Sequence, residues 1–195
     1  YTIDELIEFF NLEKVNKSGA VFDTQKLDWM NFQYIKQTPP RELVPQLARA
    51  LEAKGLGEFA EEYLEGIILL FRERIGFIEE IPDYASYMFS DLNTFDKDYY
   101  KKHIKPETKA HLKALHDMWD DCEEFTHAAL HDVAAKYAEE KGIKMKDFIH
   151  TLRLAITGKS VGAGMFETME LLGKTRSLCR VRQMIDIIAN KELEA

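Results

Sequence analysis

Apolar residues recur along this chain at helical spacing, three or four positions apart, and nowhere alternate in the strict manner of a half-buried strand. Leu43, Leu47 and Leu51 form one such stripe, and Gly55 follows where a helix would end. Phe59, Tyr63, Ile67 and Phe71 form a second. Leu112, Leu115 and Trp119 belong to another helix, opened by Pro106. Phe125, Ala129, Val133 and Tyr137 line the next, closed by Gly142. Phe148, Ile149, Leu152 and Ile156 line a further one, closed by Gly158. Leu178, Val181, Ile185 and Ile188 line the last.

The polar and breaking residues between these stripes set the borders. Thr2 followed by Glu5 is a capping box and predicts a short first helix ending near Phe10. Asn16-Lys17-Ser18-Gly19 breaks the pattern, and a second helix is predicted from Thr24 to Lys36. Thr38-Pro39-Pro40 ends that helix and begins the next, because proline is tolerated in a first turn. Pro82 and the stretch from Ser90 to Asp96 mark further breaks. The expectation is an all-α protein of about nine packed helices without a repeat of fixed period. Its best internal boundaries fall near Pro39 and Asp91.

Composition narrows the class. With 195 residues, 46% of them apolar, the chain can bury a sizeable core. The longest apolar run, Ile67 to Phe71, is far short of a membrane span. Tyr1-Thr2-Ile3-Asp4-Glu5 shows no signal-peptide pattern, and a start without Met points to a fragment or a processed chain. Cys122 and Cys179 fit neither a disulfide framework nor a zinc site, so a reducing, cytoplasmic setting is expected.

Charge changes the picture more. Lys plus Arg number 26 and Asp plus Glu 34, a net −8 that speaks against an indiscriminate nucleic-acid coat. The charge is uneven, however. Lys141 to Met184 holds nine basic and three acidic residues, net +6, which leaves −14 on the rest. Lys174, Arg176, Arg180 and Arg182 come with no acid between them, and Arg176 and Arg180 share a helix face. Such a run reads either as a solvated face or as a surface for phosphates. With Arg72 and Lys159, these four are the phosphate-facing candidates.

Few motifs carry chemistry. Gly158-Lys159-Ser160 imitates the end of a P-loop, but Arg153 stands where its first glycine belongs and a helix precedes it. Gly158, Gly162 and Gly164 still make a loop of little bulk, which would let a ligand approach the backbone. His127 and His131 have zinc-compatible spacing without a third ligand, so no metal is expected. Asp117 to Glu124 is acidic but lacks a calcium-loop glycine. Arg72 and Arg74 flank Glu73 at a helix end and point in different directions. Arg153 lies beside an apolar stripe and must find a carboxylate or a ligand. Trp29 reads as ordinary core packing or as a contact beside Lys26 and Asn31. No catalytic constellation is visible.

Two blocks together carry a resemblance. Ser18-Gly19-Ala20-Val21-Phe22-Asp23 with Lys26-Leu27-Asp28-Trp29-Met30-Asn31 and Tyr34-Ile35 forms the first. Leu152 to Gly158, Gly164-Met165-Phe166-Glu167 and Leu171-Leu172-Gly173-Lys174 form the second. In this order, and over essentially the whole chain, they resemble bacterial-type glutamyl-tRNA synthetase. The resemblance implies the C-terminal part of that enzyme: residues 1–38 as the end of the stem-contact region, 39–90 and 91–195 as two helical anticodon-binding subdomains. ATP and Mg²⁺ would belong to the catalytic domain that this chain lacks, so it should be inactive alone and need no cofactor.

Residue by residue, Lys26, Trp29 and Asn31 match the motif that meets the inner corner of the tRNA. Arg74 matches the selector of the third anticodon base, where Arg goes with tRNA for glutamate and Gln with tolerance of tRNA for glutamine. Arg153, Gly162, Ala163, Gly164 and Met165 match the pocket for the other anticodon bases. Phe32 departs from the family's usual Gly. The implied partner is tRNA for glutamate, with tRNA for glutamine as the alternative; neither DNA nor a membrane is expected, and the chain should be a monomer. A helical protein-interaction module is the alternative of another class.

Overall fold

Thr2 and Glu5 close on each other as their spacing requires. The Thr2 hydroxyl accepts from the Glu5 amide at 3.2 Å, and the Glu5 carboxylate accepts from the Thr2 amide at 2.7 Å. In the computed structural model, which describes residues 1–15, 19 and 21–190, this box starts α1 (Ile3–Phe9). The expected break at Asn16, Lys17 and Ser18, and Ala20 of the first block, lie outside the described residues. Asp23 caps α2 (Thr24–Gln37), its carboxylate accepting from the Lys26 amide. Thr38 is extended, as a residue before proline must be, and Pro40 opens α3 (Pro40–Ala53). Gly55, at φ +67°, turns the chain out of α3 and leads to α4 (Glu61–Phe71).

Seven more helices follow: α5 (Ile81–Tyr84), α6 (Lys97–His103), α7 (Thr108–Asp120), α8 (His127–Lys141), α9 (Lys146–Thr157), α10 (Met165–Leu172) and α11 (Lys174–Asn190). The total is eleven α-helices with three short 3₁₀ turns and no strand among the described residues. The architecture is all-α as expected, with more elements than the stripes showed. Pro82 is no break: it sits in the first turn of α5. The Ser90–Asp96 break ends directly in α6, which Asp96 caps. Met165, matched to the anticodon pocket with Gly162, Ala163 and Gly164, is the first residue of α10 and only 5% exposed. These three helices are four to eight residues long, too short to print an apolar period.

The core joins two sets of helices. α3 packs on α4 around Leu47, Leu51, Ile67 and Phe71. α7 packs on α8, α9 and α11 around Leu112, Leu115, Trp119 and Leu152. The buried Trp119 indole donates to the Leu130 carbonyl at 3.1 Å, so its polar atom is satisfied. α10 touches α8, α11 and α4, and thereby links the sets. Gly66 of α4 faces Leu171 of α10 so closely that a Cβ there would lie 2.6 Å from a Leu171 methyl.

The described residues up to Met30 are all exposed, although many are apolar. Trp29 is among them at 61% exposure, which corrects the reading of it as core. No helix among the described residues is long and apolar enough to cross a membrane.

Candidate nucleic-acid interface

Arg153 points from α9 to the loop that follows it. Thr157 ends the helix by donating its hydroxyl to the Arg153 carbonyl and accepting from the Lys159 amide. Gly158 then takes φ +69°, reversing the chain. The loop returns so that the Arg153 guanidinium donates to the Ala163 carbonyl at 3.0 Å. A Cβ at Gly162 would lie 3.1 Å from the Tyr87 hydroxyl and 3.5 Å from the same guanidinium nitrogen. Glycine there permits this close approach. Arg153 is half-buried, and its partner is a carbonyl rather than a carboxylate. Its remaining N–H donors keep the planar fork that suits a base edge or a phosphate.

Tyr87 is the residue that sequence reasoning missed. It is 1% exposed, and its hydroxyl faces the Ala163 backbone and Arg153 without a hydrogen bond of good geometry. Burial, reinforced by Tyr84, pushes its pKa up to about 12, while the Arg153 and Arg74 charges pull the other way. The hydroxyl therefore stays protonated, a donor beside the Arg153 guanidinium. Nothing in Ser86-Tyr87-Met88 signals this, because the tyrosine reaches Gly162 only through tertiary packing.

Arg74 lies just beyond α4 and is exposed; its amide donates to the Phe71 carbonyl at 2.8 Å, while its side chain makes no hydrogen bond or ion pair among the described residues. Its neighbour Arg72 is half-buried at the helix end, 3.5 Å from the Lys36 carbonyl. Asn31 of α2 donates to the Gly76 carbonyl and so anchors α2 to the Arg74 turn. Lys26 and Trp29 remain exposed on α2. Phe32, the departure from the family pattern, lies half-buried under the Lys36 ammonium, 5.4 Å from ring centre to nitrogen. Gly164 is the N-cap of α10, with the Glu167 carboxylate over it.

The phosphate-facing candidates divide. Arg182 is exposed, as expected. Arg180 is a correction: it is 4% exposed and donates to the carbonyls of Ile156, Tyr87 and Ser90 at 2.7–2.9 Å. Burial, then the Arg176 charge, lowers its pKa without neutralising a guanidinium. Arg176 likewise donates to the Met88 carbonyl at 3.1 Å. Arg176 and Arg180 share a face, but that face turns inward. Lys174 holds the Asp120 and Cys122 carbonyls at the end of α7, where cations are favoured. Lys159 donates to the carbonyls of Asp83 and Tyr84 at 3.0 and 2.9 Å, and burial lowers its pKa. These four cations satisfy carbonyls that helix ends and turns leave open.

The paired histidines separate as well. His127 binds Glu170 at 2.7 Å, and His131 stands edge-on to Phe166. No group of three or more metal-ligating side chains gathers among the described residues.

Comparison with known proteins places the chain in a family. The model of the anticodon binding domain family matches residues 41–185. The chain is 35% identical over 190 residues to the glutamate–tRNA ligase of Pelodictyon phaeoclathratiforme, covering 93% of this chain and 38% of that protein. It is 33% identical over 183 residues to glutamate–tRNA ligase 2 of Caldicellulosiruptor saccharolyticus, with the same coverage, 93% and 38%. The chain thus spans under two fifths of the length of these relatives. Among solved structures, a glutamate tRNA ligase of Elizabethkingia meningosepticum superposes with a TM-score of 0.89 at 29% identity, over 95% of this chain and 37% of that one. The glutamate-tRNA synthetase of Elizabethkingia anophelis gives 0.84 at 27%, over 95% and 36%. By the family match over most of its length, the chain belongs to the anticodon binding domain family.

Proposed function

We propose that this chain reads the anticodon of tRNA for glutamate as part of a glutamate–tRNA ligase. The observation that carries the reading is the placing of Arg153 beside the buried Tyr87 hydroxyl at a loop thinned by Gly162, with the Arg74 charge acting on the same hydroxyl. Sequence-specific RNA recognition works on splayed single-stranded bases, held by stacking and by bonds to their edges. An arginine serves both purposes. Arg74 is free to do so, whereas Arg153 is steadied by the Ala163 carbonyl and has donors left over.

Lys26 and Trp29, exposed on α2, would meet another part of the same RNA, with Asn31 holding α2 in position. Phosphate contacts there would fix orientation without reading sequence. Residues 39–90 and 91–195 act as the two anticodon-binding subdomains, and 1–38 as the end of the stem-contact region. Glutamate activation, with its ATP and Mg²⁺, belongs to the catalytic portion of the longer ligases. The setting is the cytoplasm and the acting form a monomer.

The test is competition between tRNA for glutamate and tRNA for glutamine on this chain and on Arg74→Gln. The unaltered chain should prefer tRNA for glutamate. Arg74→Gln should narrow the gap by roughly 1–3 kcal/mol, the scale of a good bidentate base contact. An unchanged ratio removes Arg74 as the selector. No binding of either tRNA favours the protein-interaction alternative.

A further inference from the structure

A cluster of rings outside the Arg153 site has no place in the reading so far. Tyr99 and His103 of α6 meet His150 of α9. The His103 ring lies 4.3 Å from the rings of both Tyr99 and His150, centre to centre. Its plane is tilted only 31° from that of His150. The Tyr99 hydroxyl and His150 Nδ1 share a hydrogen bond of 2.6 Å, which fixes both rings. All three side chains are half-buried and none belongs to the closed core. Part of the stack is therefore open to solvent.

Its electrostatic setting is distinctive. Burial, then His150 and the charges of Lys102 and Lys105, holds the His103 imidazole below its ordinary pKa. The ring is thus neutral at neutral pH, the form that stacks without a charge to desolvate. Burial raises the Tyr99 hydroxyl, so it too stays neutral. Around the rings, the segment 97–105 carries Lys97, Lys101, Lys102 and Lys105 against Asp98 alone. That is a second concentration of cations in a chain whose total is −8. Lys101, Lys102 and Lys105 are exposed. His150 and Arg153 are three residues apart on α9, and the Arg153 charge acts on Tyr99. The stack therefore borders the Arg153 loop.

Open rings flanked by lysines are the two parts of a single-strand RNA groove: a surface for a base and cations for the phosphates beside it. We propose that the Tyr99–His103–His150 stack, with Lys101, Lys102 and Lys105, is a further RNA contact that receives one unpaired base next to those read at Arg153. It rests on the reading of the chain as an RNA binder, and it adds affinity without choosing the sequence, because every base has a π-face.

The experiment compares the chain with His103→Ala, His103→Phe and a Lys101→Gln, Lys102→Gln, Lys105→Gln variant. Binding of tRNA transcripts for glutamate and for glutamine is measured, with circular dichroism as a check on fold. His103→Ala should bind both RNAs about tenfold more weakly, the scale of one lost stack, with their ratio unchanged. His103→Phe, which keeps a ring, should retain the affinity. The lysine variant should weaken both and flatten the salt dependence. Unaltered affinity in His103→Ala overturns the proposal while leaving the anticodon reading intact, and would make the patch free for a protein. Equal losses in His103→Ala and His103→Phe also overturn it, since the ring is then not what binds. If the unaltered chain binds no tRNA, the anticodon reading fails first and the proposal with it.

Discussion

At Arg180 a guanidinium lies almost wholly buried, its two terminal nitrogens shared among three carbonyls from α9 and the turn around Tyr87 and Ser90. Truncating it leaves those carbonyls without a donor, and each buried unsatisfied group costs about 1–3 kcal/mol. Arg180→Ala should therefore lose about 3 kcal/mol or more in urea denaturation. Arg182→Ala, two residues on and exposed, should stay within about 0.5 kcal/mol. Similar losses for both would refute the structural role of Arg180. The two are alike as letters: each is an arginine in the same basic run. Arg153 was legible in part, because an arginine beside an apolar stripe has to have a partner. That its partner is the Ala163 carbonyl was not legible, because a backbone acceptor leaves no trace in side-chain spacing.

Among the elements, the long helices were legible and their exact faces less so. The stripes in α3, α4, α7 and α11 match buried residues such as Leu47, Ile67, Leu115 and Val181. In α8 the buried line runs through Leu130, Ala134 and Tyr137, Ala129 and Val133 are only half-buried, and Phe125 precedes the helix altogether. The stripe was right in period and rotated in phase, since its alanines can face either side. The glycine stops held for a physical reason that can be measured. Gly142 and Gly158 end α8 and α9 at φ +62° and +69°. A Cβ at Gly142 meets nothing, whereas at Gly158 it would lie 2.6 Å from the Thr94 carbonyl oxygen. Asp96 also donates its amide to the Gly158 carbonyl at 2.9 Å, which pins the chain there. Gly142→Ala should cost about 1 kcal/mol from backbone strain alone, and Gly158→Ala at least about twice that. Thermal melts of the two variants would decide; equal shifts would mean that the Thr94 segment yields freely.

For the whole molecule, the question is how much of the positive charge reaches solvent. Lys141 to Met184 carries +6, yet Lys159, Lys174, Arg176 and Arg180 are engaged with carbonyls. Under the tRNA reading, affinity should fall as salt rises from about 50 to about 200 mM, through release of counterions from phosphates. The slope should be shallower than a count of nine cations implies. Arg182→Gln should lower it by roughly 0.7–0.9 if that residue meets a phosphate, and Arg176→Gln should leave it unchanged. A slope that falls with Arg176→Gln would mean that its bond to Met88 opens when RNA binds.

Periodicity, caps and stops depend on residues three or four apart, so the sequence by itself determined the all-α class, the long helices, their glycine ends and the family resemblance. What each cation does depends on partners far away in the chain: Arg180 and the Tyr87 carbonyl are 93 residues apart, and Arg176 and the Met88 carbonyl are 88. Only the tertiary structure decided which charges are buried, that Trp29 is exposed, and that Tyr87 lies under Gly162. Hydrogen bonds to backbone carbonyls can involve any residue type on the accepting side, and only packing chooses among them.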